Sequence, residues 1–401
     1  MLKPIFRIIS FYDDVRWHSV SNYNLINYYR KDLSEDVKLL THWLCYITDR
    51  QMAFEKIWDV GGYIFSELAD TLIEEKDLNF LNPKSPTKFI IKNGDGYTFT
   101  SISKSSKNEI LNRYGIKDEE VATFSSRYYP SDYFSILYTL DFLKNYDFSI
   151  VEFIAESYKK HQKTDDYISR ILFCLYLMTY YEVGQPTKEE LLDFDRNLNK
   201  AKRHTEGVLR ILSSEQNFEA EYQVFRKEKT YLQKRAWCSL RDFLKSPEFK
   251  ELLSVSLYKH GLSNKHTERL FSLESLEQLE LPGDVWNNNS RFRQCILKDT
   301  EYEHSNVGLN KILRDYFNNQ RVELKGCYPE QFDITFDFVP RMCESNNCNI
   351  CPIRFLKKTE KNNFPKSCNQ NSELFCSVAL VNCNYRIDCY GKGCRLLEYL
   401  R

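Results

Sequence analysis

The sequence lacks an apolar run long enough to span a membrane, and the start Met1-Leu2-Lys3-Pro4 lacks the long apolar core of a secretory signal peptide. It also lacks a net charge, because 56 Lys and Arg balance 56 Asp and Glu. A protein that coats nucleic acid by bulk attraction would be basic overall, so this class is disfavoured, whereas an enzyme with a local basic groove is not. We therefore expect an intracellular, cytoplasmic protein without a membrane partner.

Internal repeats and low-complexity segments are absent as well. What is present is 42% hydrophobic and 15% aromatic residues in a chain of 401 residues, which is typical of a folded protein with a sizeable core. Length and composition predict three regions: an N-terminal helical region with a β hairpin (1–125), a helical domain (126–335) and a cysteine-rich segment (336–401).

Helical periodicity dominates the first two regions. Val37, Leu40, Leu44 and Ile47 recur at helical spacing after Ser34, which is a suitable N-cap. The predicted β element is a hairpin, in which residues 88–92 and 97–100 flank a glycine-containing turn at 93–96. The sequence therefore predicts a mainly α protein with one small β hairpin.

Two helices predicted between residues 187 and 245 are rich in basic side chains. A capping box at Thr187–Glu190 is predicted to open the first, which carries Arg196, Lys200, Lys202, Arg203, His204 and Arg210. The second basic stretch carries Lys227, Lys229, Lys234, Arg235 and Arg241. Each helix either faces a phosphate backbone or is an ordinary solvated surface, since acidic residues are interleaved.

The last region is defined by its cysteines. Eight of the 13 cysteines lie in it, and the region carries ten Lys or Arg against five Asp or Glu from residue 341 onward. Short spacings of this kind favour metal-bound thiolates over disulfides in a reducing compartment. The first four cysteines and the last four form two ligand sets, or the two sets interleave. The metal bound is a [4Fe–4S] cluster or zinc. Buried free thiols are the remaining alternative. The cysteines are Cys343, Cys348, Cys351, Cys368, Cys376, Cys383, Cys389 and Cys394.

Two motifs resemble the helix-hairpin-helix DNA glycosylases with an iron–sulfur loop, the endonuclease III and MutY group. One is the cysteine run, in which Asp337 precedes Cys343 and Cys348-x-x-Cys351-Pro352 follows. The other is a helix, the turn Leu281-Pro282-Gly283 and a second helix, within residues 270–300. The chain departs from the family in a shorter first cysteine gap, a longer last gap, and Asp284-Val285 where the family has a second glycine.

The resemblance implies a glycosylase-like helical fold, a [4Fe–4S] cluster on the cysteines and duplex contacts from the hairpin. Asp299, which lies 16 residues after Gly283 and 44 before Cys343, is the counterpart of the catalytic aspartate. It would stabilise the cationic sugar that forms as the glycosidic bond breaks, or orient water onto it. Glu301, Glu303, His304 and Asp284 are its rivals. The implied DNA-binding residues are Gly283, Arg291, Arg293, Arg341, Lys357 and Lys358.

These expectations describe a monofunctional DNA glycosylase, a hydrolase that extrudes an aberrant or modified base and removes it. Asn287 stands where the lyase members of the family have a lysine, which disfavours Schiff-base chemistry. Trp286 is a candidate wedge, although a core position is the simpler interpretation. A modified base of phage DNA is one substrate to consider, which would place the protein in antiviral defence. The alternative is a non-enzymatic module that binds nucleic acid or protein and holds structural zinc.

Overall fold

The computed structural model describes residues 33–48, 65–66, 68–82, 90–93, 96–99, 130–179, 193–227, 231–279, 297, 301–306 and 312. The chain divides into two compact units. The larger, Asn22–Ser272, contains the described residues from 33 to 272, and the other contains those from 273 onward. The predicted domain boundaries at 125/126 and 335/336 lie outside the described residues.

The larger unit is built from helices, as the periodicity predicts. Its helices are α1 (Glu35–Thr48), α2 (Pro130–Leu143), α3 (Ile150–His161), α4 (Tyr167–Thr179), α5 (Phe194–Ser213), α6 (Glu215–Lys227), α7 (Tyr231–Lys245), α8 (Pro247–Lys259) and α9 (Asn264–Leu270). Residues 68–75 are also helical, and short 3₁₀ helices span Asn79–Leu81 and Lys144–Tyr146. The prediction of a mainly α protein is confirmed.

Helix α4 is the centre of the bundle. It packs against α2, α3, α5, α6 and α7, and every residue from Ile171 to Thr179 is buried. A helix that is apolar on all sides is stable only when its whole circumference is covered. The spacing of residues 168, 171, 172 and 175 indicates one apolar face. In the structure they belong to a helix that is buried on all sides from Ile171 onward.

Helix α1 is buried in the same way, from Val37 to Ile47. It packs against α2, α3 and α7. Trp43 is fully buried, and burial of a side chain of this kind contributes on the order of 2 kcal/mol or more. The polar residues His42 and Tyr46 are buried on the same helix, so α1 brings ionisable groups into the core.

Side-chain caps define where several helices begin. The Val37 N–H donates to Ser34 Oγ at 3.4 Å, so the predicted N-cap of α1 is confirmed. Ser149 and Ser246 cap α3 and α8 in the same way. Pro247 follows the second cap, at a position where proline costs no helical hydrogen bond.

Two boundaries differ from the prediction. The basic helix α5 begins at Phe194, and the Asp193 side chain accepts from the Arg196 N–H at 3.1 Å; the predicted capping box at 187–190 lies outside the described residues. Leucines 270, 273, 276 and 279 predict a single helix, which is wrong. Helix α9 ends at Leu270, and Ser272 Oγ donates to the Arg269 carbonyl at 2.6 Å, which favours a break there.

Beyond that break lies the short helix α10 (Leu273–Glu277), in the second unit. Two strands, β1 (Ile90–Asn93) and β2 (Gly96–Phe99), pair antiparallel with Ile90 opposite Phe99 and Asn93 opposite Gly96. Among the described residues, none of the helices has the length and apolar character needed to cross a bilayer.

Candidate functional site

The residues that the sequence predicts for catalysis, metal binding and DNA contact lie outside the described residues, so their roles stay predictions. Among the described residues, no three His, Cys, Asp or Glu side chains are grouped as metal ligands. The residues concerned are Asp299, Cys343, Cys348, Cys351, Cys368, Cys376, Cys383, Cys389, Cys394, Gly283, Arg291, Arg293, Arg341, Lys357 and Lys358.

Three of the four rivals of Asp299 do lie in the described part of the chain. Glu301, Glu303 and His304 belong to a turn, in which the Ser305 N–H donates to the Tyr302 carbonyl at 3.0 Å. All three rivals are exposed. An acid or base that acts on a bond away from water needs an enclosed site, which an exposed turn does not supply by itself.

The two basic helices have opposite environments. In α7, Arg235 and Arg241 are each only 3% exposed, so both interpretations left open for these two side chains, phosphate contact and solvated surface, are wrong. The Arg235 guanidinium donates to the Ile47 carbonyl of α1. The Arg241 Nε lies 2.9 Å from Asp242 Oδ1.

Asp242 is the centre of a buried polar cluster between α1 and α7, which we call the α1–α7 cluster: His42, Tyr46, Ser239, Arg241 and Asp242. The Tyr46 hydroxyl donates to Asp242 Oδ2. His42 Nε2 lies 3.4 Å from the same oxygen, and Ser239 Oγ lies 3.4 Å from His42 Nδ1. The carboxylate therefore has a cation on one oxygen and a hydroxyl with an imidazole on the other.

Burial and these contacts set the charges within the cluster. Burial opposes ionisation of Asp242, but the charge of Arg241 and the contacts with His42 and Tyr46 outweigh it, and the pKa of Asp242 lies below its ordinary value. Burial lowers the pKa of His42 and outweighs the contact with Asp242. The cluster thus holds an ionised carboxylate, a guanidinium and a neutral imidazole at neutral pH.

A His, an Asp and a Tyr in contact form a set that enzymes use for proton transfer. Here His42 is fully buried and the Asp242 side chain is 1% exposed. A substrate does not reach these groups in this conformation, so we assign the α1–α7 cluster a structural role. It holds α7 against α1, although the two helices are about 200 residues apart in the sequence.

The second cluster of ionisable groups joins α4, and the loop that precedes it, to α6. Arg170 pairs with Asp166 at 2.7 Å and with Glu219 at 2.8 Å. Its guanidinium lies 4.7 Å from the centre of the Tyr222 ring, whose hydroxyl donates to Asp166 at 2.9 Å. Each ionic group in this set already has a protein partner, which is typical of a structural pairing between helices.

His161 is buried beside that pairing and stacks on Phe218, with ring centres 4.4 Å apart. Burial, with the nearby charges of Lys160 and Arg170, lowers the pKa of His161 to about 4. Its imidazole is therefore neutral at neutral pH and serves as an aromatic core residue.

Helix α5 is the contrasting case, because its basic side chains point outward. Arg196, Lys202, Arg203 and Arg210 are exposed. Lys200 is half-buried, with its ammonium 5.9 Å from the centre of the Phe134 ring. His204 stacks on Tyr138 and contacts the Leu177 carbonyl at 3.0 Å. Of the six basic residues predicted on this helix, four are thus exposed.

Comparisons with protein families, with characterised proteins and with solved structures found no match to this chain.

Proposed function

We propose that the protein is a DNA glycosylase that hydrolyses the N-glycosidic bond of an aberrant or modified base. One observation carries the proposal: a Leu-Pro-Gly turn, an acidic residue and a closely spaced cysteine run follow one another along residues 281–351 in the order of the iron–sulfur glycosylases. The exposed cations of α5 support a DNA partner, since a local basic surface attracts phosphate even on a neutral protein.

In this proposal Asp299 assists departure of the base, and Gly283, Arg291 and Arg293 hold the duplex near the turn. Four of the cysteines from Cys343 onward would hold a [4Fe–4S] cluster, since four thiolates are the donor set that such a cluster requires. The cluster staples the C-terminal segment, and Arg341, Lys357 and Lys358 bring positive charge to the phosphates there.

The direct test is base release by the anaerobically purified full-length chain. Duplexes that each carry one altered base, and native phage DNA, are incubated with the protein, and free bases are identified by mass spectrometry. Asp299→Asn is expected to slow release by about a hundredfold or more while leaving duplex binding unchanged. Asp165→Asn, which removes an exposed carboxylate from the loop between α3 and α4, is the matched control.

Unchanged release by Asp299→Asn would remove that residue from the mechanism and turn attention to Glu301 and Glu303. Absence of release from every substrate would favour the second candidate, a nucleic-acid or protein binding module with structural zinc. The exposed face of α5 favours that candidate too, because a binding surface requires no chemistry. Metal analysis separates the two, because an iron–sulfur protein is brown and a zinc protein is colourless.

A further inference from the structure

Helix α5 presents a straight row of cations. Arg196, Arg203 and Arg210 are seven residues apart, so at 3.6 residues per turn they project from nearly the same side of the helix. Lys202 is exposed beside Arg203. We call these four residues the basic row; at about 1.5 Å of rise per residue it is about 21 Å long.

The opposite side of α5 is fixed to the rest of the bundle. Phe194, Ala201 and Val208 are buried on it, and α5 packs against α2 and α4. The Thr205 hydroxyl donates to the buried carboxylate of Asp141 at 2.8 Å. The basic row is therefore held on a rigid support, which reduces the entropy lost when a partner binds.

Carboxylates neutralise some of the other cations at the surface of this unit. Lys76 pairs with Asp147, Lys250 with Glu268 and Lys259 with Glu152. In the part of the chain that the structure describes, Lys202, Arg203 and Arg210 form no such pair.

This lack of pairing occurs although a carboxylate is close in sequence. Glu206 lies four residues after Lys202, three after Arg203 and four before Arg210, a spacing that permits ion pairs on a helix. It is exposed and, within the described residues, paired with none of them. The charges of Lys202, Arg203 and Arg210 thus remain accessible to an external anion.

We propose that the basic row of α5 lies along the phosphate backbone of duplex DNA and holds the protein on it without reading sequence. Duplex DNA carries one negative charge per about 1.7 Å of its axis, so a row about 21 Å long faces several phosphates. Arg203 and Arg210 each match phosphate oxygens with two parallel N–H donors. Contacts of this kind position a protein but carry no base information. The proposal rests on the proposed function only in taking DNA as the partner.

The test measures how salt weakens binding. The full-length chain is titrated against a fluorescein-labelled duplex of about 30 base pairs and arbitrary sequence, at several KCl concentrations between about 50 and 300 mM. The variant Lys202→Gln/Arg203→Gln/Arg210→Gln removes three charges of the row. The control Lys163→Gln/Lys227→Gln/Lys265→Gln removes three exposed lysines that, among the described residues, also lack a carboxylate partner.

Each lost phosphate contact lowers the slope of log affinity against log salt by about 0.9, so the row variant is expected to lose about 3 units of slope. Between about 50 and 200 mM salt this corresponds to a difference of roughly 40-fold in the salt effect. The control is expected to keep the slope of the unaltered protein. Equal slopes for the row variant and the unaltered protein would overturn the proposal, as would equal losses in both triple variants.

Two further measurements keep the outcomes distinct. Circular dichroism and thermal unfolding check the fold of both triple variants. A charge-retaining variant, Lys202→Arg/Arg203→Lys/Arg210→Lys, is expected to keep the slope of the unaltered protein. Base release is measured on the same preparations. If binding depends on salt through the row but no base is released, this inference stands and the glycosylase proposal is refuted. If a base is released but the row variant keeps the slope of the unaltered protein, the glycosylase proposal stands and this inference is refuted.

Discussion

Removal of the carboxylate from the α1–α7 cluster is the sharpest test of the fold. In Asp242→Asn the side chain keeps its shape and one acceptor oxygen, but the Arg241 guanidinium loses the opposite charge that compensates its burial. The two side chains are 4% and 1% exposed, so little water is available to replace that charge. Breaking a buried pair from one side costs about 3–5 kcal/mol.

The expected loss is large enough to measure directly. For a unit of this size, 1 kcal/mol corresponds to about 2–4 °C, so the midpoint of thermal unfolding should fall by roughly 6–20 °C. Urea unfolding followed by circular dichroism gives the free energy. Asp147→Asn is the control, because its carboxylate pairs with Lys76 at the surface, with side chains 85% and 60% exposed; its loss should stay below about 1 kcal/mol.

The dependence of stability on acidic pH provides an independent test of the role of Asp242. The folded-state pKa of Asp242 lies below its ordinary value, so the stability it contributes is present above about pH 4 and is lost as pH falls through the folded-state value. The difference in unfolding free energy between the unaltered protein and Asp242→Asn should therefore narrow in that acidic range.

Replacing three members of the cluster together separates the effect of pairing from that of packing. Tyr46→Phe/Arg241→Met/Asp242→Leu removes the charges and the hydroxyl together, so no ionic group is left without its partner. Apolar replacement of a buried ion pair is often neutral or stabilising, and this variant should be more stable than Asp242→Asn. A loss below about 1 kcal/mol in Asp242→Asn, or a triple variant that loses the sum of its single changes, would refute the reasoning.

Three other changes follow from the described contacts. The unaltered protein should lose stability, on the order of 2 kcal/mol, as pH falls from about 6.5 towards 4, because the buried neutral imidazole of His161 takes up a proton on unfolding. His161→Phe should abolish this loss. Urea unfolding at about pH 7.5 and pH 5 measures the loss, and an unchanged pH dependence in the variant would contradict the assignment. Ser246→Ala removes the acceptor of the Phe249 N–H at the start of α8 and should cost about 1 kcal/mol, so no change in the thermal midpoint would argue against the cap. Burial raises the pKa of Cys174 to about 12, so iodoacetamide should label it only after unfolding, as mass spectrometry of native and denatured samples can show; rapid labelling of the native protein would show that the thiol is accessible.

Local patterns predict the helical part of this fold well. The apolar spacing in α1 and its N-cap, Ser34, are both as the structure has them. Helix boundaries are predicted less well, because several residues near an end are competent caps and side-chain contacts decide among them. Asp193 caps the start of α5, and a hydrogen bond from Ser272 accompanies the break after α9.

The α1–α7 cluster has no local signal of this kind. His42 and Tyr46 are four residues apart, which places both on one side of α1, but Asp242 follows them by about 200 residues. Basic residues in a helical pattern indicate a charged helix and do not reveal that Arg235 and Arg241 are directed into the core. The predicted catalytic Asp299, the predicted DNA-binding residues and the eight cysteines remain predictions, since the described residues do not include them.

A net charge of zero does not reveal which cations are accessible, as a comparison of α5 with α7 shows. In α7 two arginines are buried, and Arg241 is neutralised by Asp242, so their charge is not available to a partner. In α5 the cations are exposed, and three of them are unpaired within the described residues. A count of charges treats the two helices alike. The exposed cations of α5 can attract an anion over the distance of a Debye length, about 8 Å at physiological salt, whereas the buried Arg235 and Arg241 of α7 cannot. If DNA is the partner, as we propose, α5 is therefore the surface where salt-dependent binding should first be sought.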